Sequence, residues 1–135
     1  MKGLSHITFV VQDLERTATF FKRIFEAKEV YDSGDETFSL AKEKFFLIGD
    51  LWIAIMEGDK LPTKTYNHIA FKIEESEMEN YLQGIQELGL EILEGRSRVA
   101  GEGSSIYFYD FDNHLFELHT GTLSGRLKQY QKSKQ

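Results

Sequence analysis

The chain has 135 residues, enough for one modest core, and its 41% hydrophobic and 28% charged content excludes a disordered chain. A net charge of −6 argues against nucleic acid as a partner, and the lack of cysteine excludes disulfides, thiolate metal sites and thiol nucleophiles. No segment approaches the ~18 apolar residues of a membrane span, and no apolar leader precedes the first strand-like run, so the expected address is cytoplasmic.

An internal repeat organises the chain. Ser5-His6-Ile7-Thr8-Phe9-Val10 and Asn67-His68-Ile69-Ala70-Phe71-Lys72 share the order small-polar, His, Ile, small, Phe. Each is a short β-rich run followed by an amphipathic stretch. In the first half this stretch spans Asp13 to Ala27. Leu14, Ala18, Phe21 and Phe25 recur at three- and four-residue spacing there, Phe20 and Ile24 widen the stripe, and Asp13 reads as the N-cap. Strands are then expected at Lys28–Tyr31, Thr37–Leu40, Phe45–Ile48 and Leu51–Met56, with Gly49-Asp50 as a hairpin turn between the last two.

Residues 58–64, with Gly58 and the single proline Pro62, read as a linker. The second half repeats the plan. A helix is expected over Glu75 to Leu88, closed by Gly89, then strands at Glu91–Leu93, Ser105–Tyr109 and Leu115–His119, the last pair joined by an Asp110–His114 turn. The expected architecture is α+β: two tandem βαβββ modules, 1–57 and 65–122, and a helical tail over 123–135 whose basic residues form a solvated end. So small a chain is expected to dimerise, completing a curved sheet.

Period-two alternation puts His6 with Thr8 and Val10 on one face of its strand, and Ile7, Phe9 and Val11 on the other. His68 likewise opposes Ile69 and Phe71, and Glu117 opposes Phe116 and Leu118. His6, His68 and Glu117 thus occupy the non-core face of their strands. The repeat makes the two histidines equivalent, while Leu51-Trp52-Ile53-Ala54-Ile55 offers no counterpart to Glu117. Two imidazoles and a carboxylate suit Mn, Fe, Zn or Ni, and three protein ligands leave positions open for water or substrate. Taken singly, each of these residues has an ordinary reading as a hydrogen-bonded or solvated strand residue, and neither HExxH nor CxxC occurs. His114 and His119 read as structural, His114 through a backbone hydrogen bond in its turn. With no GxSxG elbow, a Ser-His-Asp hydrolase is not indicated.

The paired His-Ile-Thr-Phe and His-Ile-Ala-Phe runs resemble the vicinal-oxygen-chelate (glyoxalase and bleomycin-resistance) superfamily. More narrowly, Gly101 to His119 (GEGSSIYFYDFDNHLFELH) and Gly121 to Leu127 (GTLSGRL) are similar to the fosfomycin-resistance proteins. Ser39 to Ile48 (SLAKEKFFLI) and Leu51 to Gly58 (LWIAIMEG) are similar to the FosX hydrolase branch. The resemblance runs to about Tyr130. It implies an Mn²⁺ site held by His6, His68 and Glu117, and a homodimer whose modules exchange, so that His6 comes from one subunit and the other two ligands from its partner. It further implies that Thr8, Trp52, Ser105, Tyr107 and Arg126 line the substrate pocket or hold a phosphonate, with Arg98, rather than Arg96, as a further cation. Glu43, between Lys42 and Lys44, matches that branch's general base, although without the resemblance it reads as a surface residue in a charged turn.

The activity implied is opening of the fosfomycin epoxide by water to a diol phosphonate, with Glu43 taking the water's proton and the metal stabilising the developing alkoxide. The alternatives are a thiol transferase adding glutathione, bacillithiol or cysteine, which needs no base, and a non-catalytic module that sequesters the drug without metal. A glyoxalase or ring-cleaving dioxygenase on the same scaffold gives Glu43 no role.

Overall fold

The computed structural model describes residues 1–36, 38–94 and 103–134. It divides into two compact units, one formed by Met1–Lys64 with Asp110–His114, the other by Thr65–Tyr109 with Leu115–Gln135.

In the first unit, β1 (His6–Val11), α1 (Leu14–Phe25), β2 (Lys28–Asp32), β3 (Glu43–Ile48) and β4 (Leu51–Glu57) form a βαβββ module. Its sheet has the order β1-β4-β3-β2, with β1 parallel to β4 and the remaining pairs antiparallel. The Asp13 carboxylate caps α1 by accepting from the Arg16 amide at 3.0 Å. The helix buries Thr17, Ala18, Phe20, Phe21, Ile24 and Phe25. Phe21 packs on Phe9 and Phe46, with ring centroids 6.2 and 5.7 Å away. Each such ring buried adds roughly 1.5–3 kcal/mol of hydrophobic stabilisation. Gly49 takes φ 58 at the first position of the β3–β4 turn, as a type II′ hairpin requires.

The expected strand at Thr37–Leu40 does not form. Residues 38–40 are bends with Phe38 and Leu40 exposed, and Thr37 lies outside the described residues. The apolar side chains there have no sheet neighbour among the described residues, and β3 begins instead at Glu43, whose backbone is held by the Ser33 hydroxyl and amide, while the preceding Lys42 carbonyl accepts from the Glu57 amide.

The second unit repeats the plan with β5 (His68–Lys72), a 3-10 turn (Glu75–Glu77), α2 (Met78–Glu87), β6 (Ile92–Leu93), β7 (Ser105–Tyr109) and β8 (Leu115–His119), in sheet order β5-β8-β7-β6. The tail forms α3 (Leu123–Ser133), capped by the Thr122 hydroxyl. Ile85, Ile106, Phe108, Phe116 and Leu118 are buried, with Phe116 stacked between Phe71 and Phe108. Gly89, at φ 67, follows the last turn of α2 and donates to the Gln86 carbonyl.

Lys44 departs from its charged-turn appearance. It points to the helix side of the first sheet and is 3% exposed. Its ammonium lies 2.9 Å from Asp32, 3.1 Å from Glu15 and 3.2 Å from Glu29, joining β3 to β2 and to α1. Burial alone would pull this ammonium's pKa down, but bonds to Asp32, Glu15 and Glu29 outweigh it and hold it above the ordinary 10.5. The same Lys44 contact holds Asp32 below its ordinary 3.8. The depressed Asp32 contributes stability that is whole above 3.8 and lost as pH falls through its folded value, and the raised Lys44 contributes stability that is whole below 10.5 and lost as pH rises through its folded value. Lys44→Met should therefore destabilise the fold at neutral pH by about 1–3 kcal/mol in urea titrations, since its carboxylate partners still reach water. The difference from wild type should shrink in acid. Equal stability at pH 7 would show the hub to be inert.

Candidate metal and substrate site

Residues opposite one another in register share a face. In the first sheet His6 stands opposite Trp52, Thr8 opposite Ala54, and Val10 opposite Met56, which pairs in turn with Glu43. His6, Thr8, Trp52 and Glu43 therefore share the face turned away from α1. In the second sheet His68 stands opposite Leu115, Ala70 opposite Glu117, and Glu117 opposite Tyr107, while Ser105 pairs with His119. His68, Ser105, Tyr107, Glu117 and His119 therefore share the corresponding face of that sheet. The two registers superpose step for step: His6 matches His68, Ala54 matches Glu117, and Glu43 takes the level of Ser105.

Glu117 is 5% exposed in the middle of β8. Its Oε2 accepts from the Ser105 hydroxyl at 2.6 Å, and its Oε1 lies 3.1 Å from His68 Nε2. Burial alone would raise its pKa, but hydrogen bonds from Ser105 and Tyr107, with His119 and His68 alongside, hold it below the ordinary carboxylate value. The Tyr107 phenol is pushed up, first by burial, then by the bond from Tyr66 and the neighbouring carboxylate charge. The Tyr66 hydroxyl donates to Tyr107 at 3.2 Å.

His68 has a settled tautomer. Nδ1 lies 2.7 Å from the Tyr66 carbonyl, which can only accept, so Nδ1 carries the proton. In the neutral ring Nε2 then turns a lone pair toward an ionised carboxylate oxygen 3.1 Å away. Two such atoms 3.1 Å apart can share a cation, either a proton or a metal ion. The donor set is that of a hard or borderline divalent metal, with the Tyr66 carbonyl as the outer partner that orients the imidazole. The residues fit a metal.

In the first unit, His6 Nδ1 lies 3.0 Å from the Ser5 hydroxyl, and its ring stacks on Trp52 with centroids 4.1 Å apart. The Trp52 indole nitrogen is buried without a hydrogen-bond partner among the described residues. Thr8 is exposed on the same face. Glu43 is 8% exposed. Its amide donates to the Ser33 hydroxyl and its carbonyl accepts from the Ser33 amide, both at 3.0 Å, while its carboxylate has no hydrogen-bond partner among the described residues.

Among the described residues no three His, Asp or Glu side chains gather closely enough to hold a metal. His68 and Glu117 stand together, and His6 belongs to the other unit. Arg126, on α3, reaches His119, its Nη2 lying 3.3 Å from Nε2. Arg98, expected at the phosphonate, and Arg96 lie outside the described residues. His114 bonds the Asp110 carboxylate at 2.8 Å rather than backbone.

Sequence reasoning passed over two neighbours of the site, Tyr66 and Ser33, and read a third, His119, as structural. Tyr66 lines a cleft of about 340 Å³ with Leu93, Glu94 and Tyr107. Ser33 clamps the Glu43 backbone. His119 contacts Ser105. Only His119 carried a usable signal, since it stands two residues from Glu117 on the same face.

The chain matches the family described as Glyoxalase/Bleomycin resistance protein/Dioxygenase superfamily over residues 3–118. It is 63% identical over 132 residues to the fosfomycin resistance protein FosX of Listeria innocua serovar 6a, covering 98% of this chain and 99% of that protein. A crystal structure of a FosX variant from Listeria monocytogenes, complexed with Mn(II) and 1S,2S-dihydroxypropylphosphonic acid, superposes with a TM-score of 0.88 at 58% identity, over 96% of this chain and 98% of that one. The metallothiol transferase FosB of Staphylococcus saprophyticus is 39% identical, over 99% of this chain and 87% of its own length. The chain belongs to the glyoxalase/bleomycin resistance protein/dioxygenase superfamily and, within it, to the FosX fosfomycin resistance proteins.

Proposed function

We propose that this chain is a Mn²⁺-dependent fosfomycin epoxide hydrolase, adding water to the epoxide to give a diol phosphonate. The observation that carries the reading is the pairing of His68 with the buried Glu117, two metal donors 3.1 Å apart, in a chain 63% identical to a FosX protein. Its lower identity to FosB, 39%, places the thiol transferase second.

His6, His68 and Glu117 would hold the metal. Bound there, Mn²⁺ supplies Lewis-acid stabilisation of the oxyanion that develops as the epoxide C–O bond breaks. Arg126 orients the phosphonate through charge-assisted bonds, the Ser105 and Tyr107 side chains line the pocket around it, and Arg98 adds a further cation. Thr8 and the unpartnered Trp52 indole N–H face the same substrate. Glu43 takes a proton from the attacking water. The reading of Glu43 is supported by its burial with a free carboxylate, its shared face with His6, and the Ser33 clamp that fixes its backbone.

The active form in this reading is a homodimer in which His6 of one chain joins His68 and Glu117 of another. No helix among the described residues is long and apolar enough to cross a membrane, in keeping with cytoplasmic action on the drug. Modules 1–57 and 65–122, joined by 58–64, are then two halves of one functional domain, with 123–135 as a helical tail that brings in Arg126.

Phosphorus NMR of fosfomycin with protein and Mn²⁺, free of thiol and in ¹⁸O-labelled water, should show a diol phosphonate carrying the label. Turnover only on adding a thiol would transfer the assignment to the FosB reaction, and drug binding with no turnover and no need of metal would favour a sequestering module. Glu43→Gln should lower kcat by roughly 10²–10⁴-fold with Mn²⁺ and fosfomycin binding retained. Undiminished turnover in that variant removes Glu43 from its role.

Ligand sharing has its own test. His6→Ala and Glu117→Ala should each be inactive alone. Mixed at equal amounts with subunit exchange they should recover about a quarter of wild-type activity, because half the dimers regain one intact site. No recovery despite demonstrated exchange would place all three ligands in one chain.

A further inference from the structure

Ser105 Oγ lies 2.6 Å from Glu117 Oε2 and 2.6 Å from His119 Nδ1. An ionised carboxylate has no proton to give, so the serine donates to Glu117. A hydroxyl owns one proton, so its contact with His119 runs the other way, with Nδ1–H as donor. The lone pair of that ring is then on Nε2, and 3.3 Å from it stands Arg126 Nη2, a donor with no acceptor capacity. The direction of every bond follows from the chemistry of the groups: Arg126 to His119, His119 to Ser105, Ser105 to Glu117.

We infer that His119 is a positioning residue that couples Arg126, through Ser105, to the metal ligand Glu117. The inference rests on the roles proposed above for Arg126 and Glu117. His119 sits on β8 at the register position opposite Ser105, and its side chain is 14% exposed, so the ring is held by the sheet while spanning both neighbours. One end of the imidazole takes a single guanidinium N–H and fixes the plane of the remaining donors toward an anion. The other end holds the Ser105 hydroxyl so that its proton points at Oε2, leaving Oε1 to face His68 and the metal. Each link polarises the next, as in any chain of aligned hydrogen bonds.

The two ends of the ring can be removed separately. The Asn amide stands near the Nδ1 position and keeps a donor for Ser105 without reaching Arg126. The Gln amide stands near Nε2 and keeps an acceptor for Arg126 without serving Ser105. His119→Asn should raise the KM for fosfomycin by about tenfold with Mn²⁺ affinity retained, and His119→Gln should weaken Mn²⁺ by about tenfold with KM near wild type. Mn²⁺ affinity is read by EPR titration of the substrate-free protein, and thermal melting confirms that both variants are folded. Parallel shifts of both quantities in both variants, or none in either, overturn the inference. Arg126→Ala should raise KM in the wild-type background and add little on top of His119→Asn. If its effect is the same in both backgrounds, His119 does not position Arg126. If Arg126→Ala leaves KM unchanged in the wild type, the phosphonate contact proposed for Arg126 falls together with the inference, an outcome distinct from the first.

Discussion

A one-residue slip of β5 against β8 would send His68 and Glu117 to opposite faces of their sheet, and nothing of the site would remain. The placement of His68 beside Glu117 follows from this register. It is held by the buried face: Ile69 and Phe71 lie opposite Phe116 and Leu118, and Phe116 stacks between Phe71 and Phe108. Sliding the strand by one position would expose that apolar set to water and bury the polar one, at a cost of several side chains' worth of hydrophobic free energy. The packing that folds the unit therefore also aims the donors. The first sheet works alike, with Phe9, Phe46, Ile53 and Ile55 on the helix side and His6, Thr8, Trp52 and Glu43 on the other.

Burying a carboxylate at the centre of that open face is costly, and the surroundings of Glu117 offset the cost. It accepts from Ser105 and Tyr107, so the carboxylate has hydrogen-bond donors in the protein before any ligand arrives. Glu43 contrasts with it. It is about as buried, yet its carboxylate has no such partners among the described residues. A satisfied carboxylate suits a fixed ligand, and an unsatisfied one suits a group that must accept a proton.

Much of the fold was legible because periodicity is a local signal. The alternation in His6 to Val11 and His68 to Lys72 matches the alternating exposure of β1 and β5, and the Asp13 cap, the Gly49 turn and the Gly89 stop stand where their chemistry placed them. The Thr37–Leu40 segment misled because Phe38 and Leu40 alternate with polar residues as a strand would, while the partner needed to bury them is missing. The burial of Lys44 was not legible, for the opposite reason. A lysine in the charged run Lys42-Glu43-Lys44 looks solvated, and its burial depends on Glu15, Asp32 and Glu29, which sequence spacing cannot bring together. The site divides the same way. The shared non-core face was legible for His6 and His68 by symmetry of the repeat and for Glu117 by strand alternation, whereas Ser33, Tyr66 and the direction of the His119 bonds exist only once strands are paired.

The repeat is exact in register but unequal in chemistry. At the step of the ladder where the second module carries Glu117, the first carries Ala54, and a methyl group cannot ligate a cation. Every chain thus brings two imidazoles of this kind but a single carboxylate. If His6, His68 and Glu117 hold the metal as proposed, complete three-ligand centres would number at most one per chain, half the metal loading that two such modules would otherwise suggest.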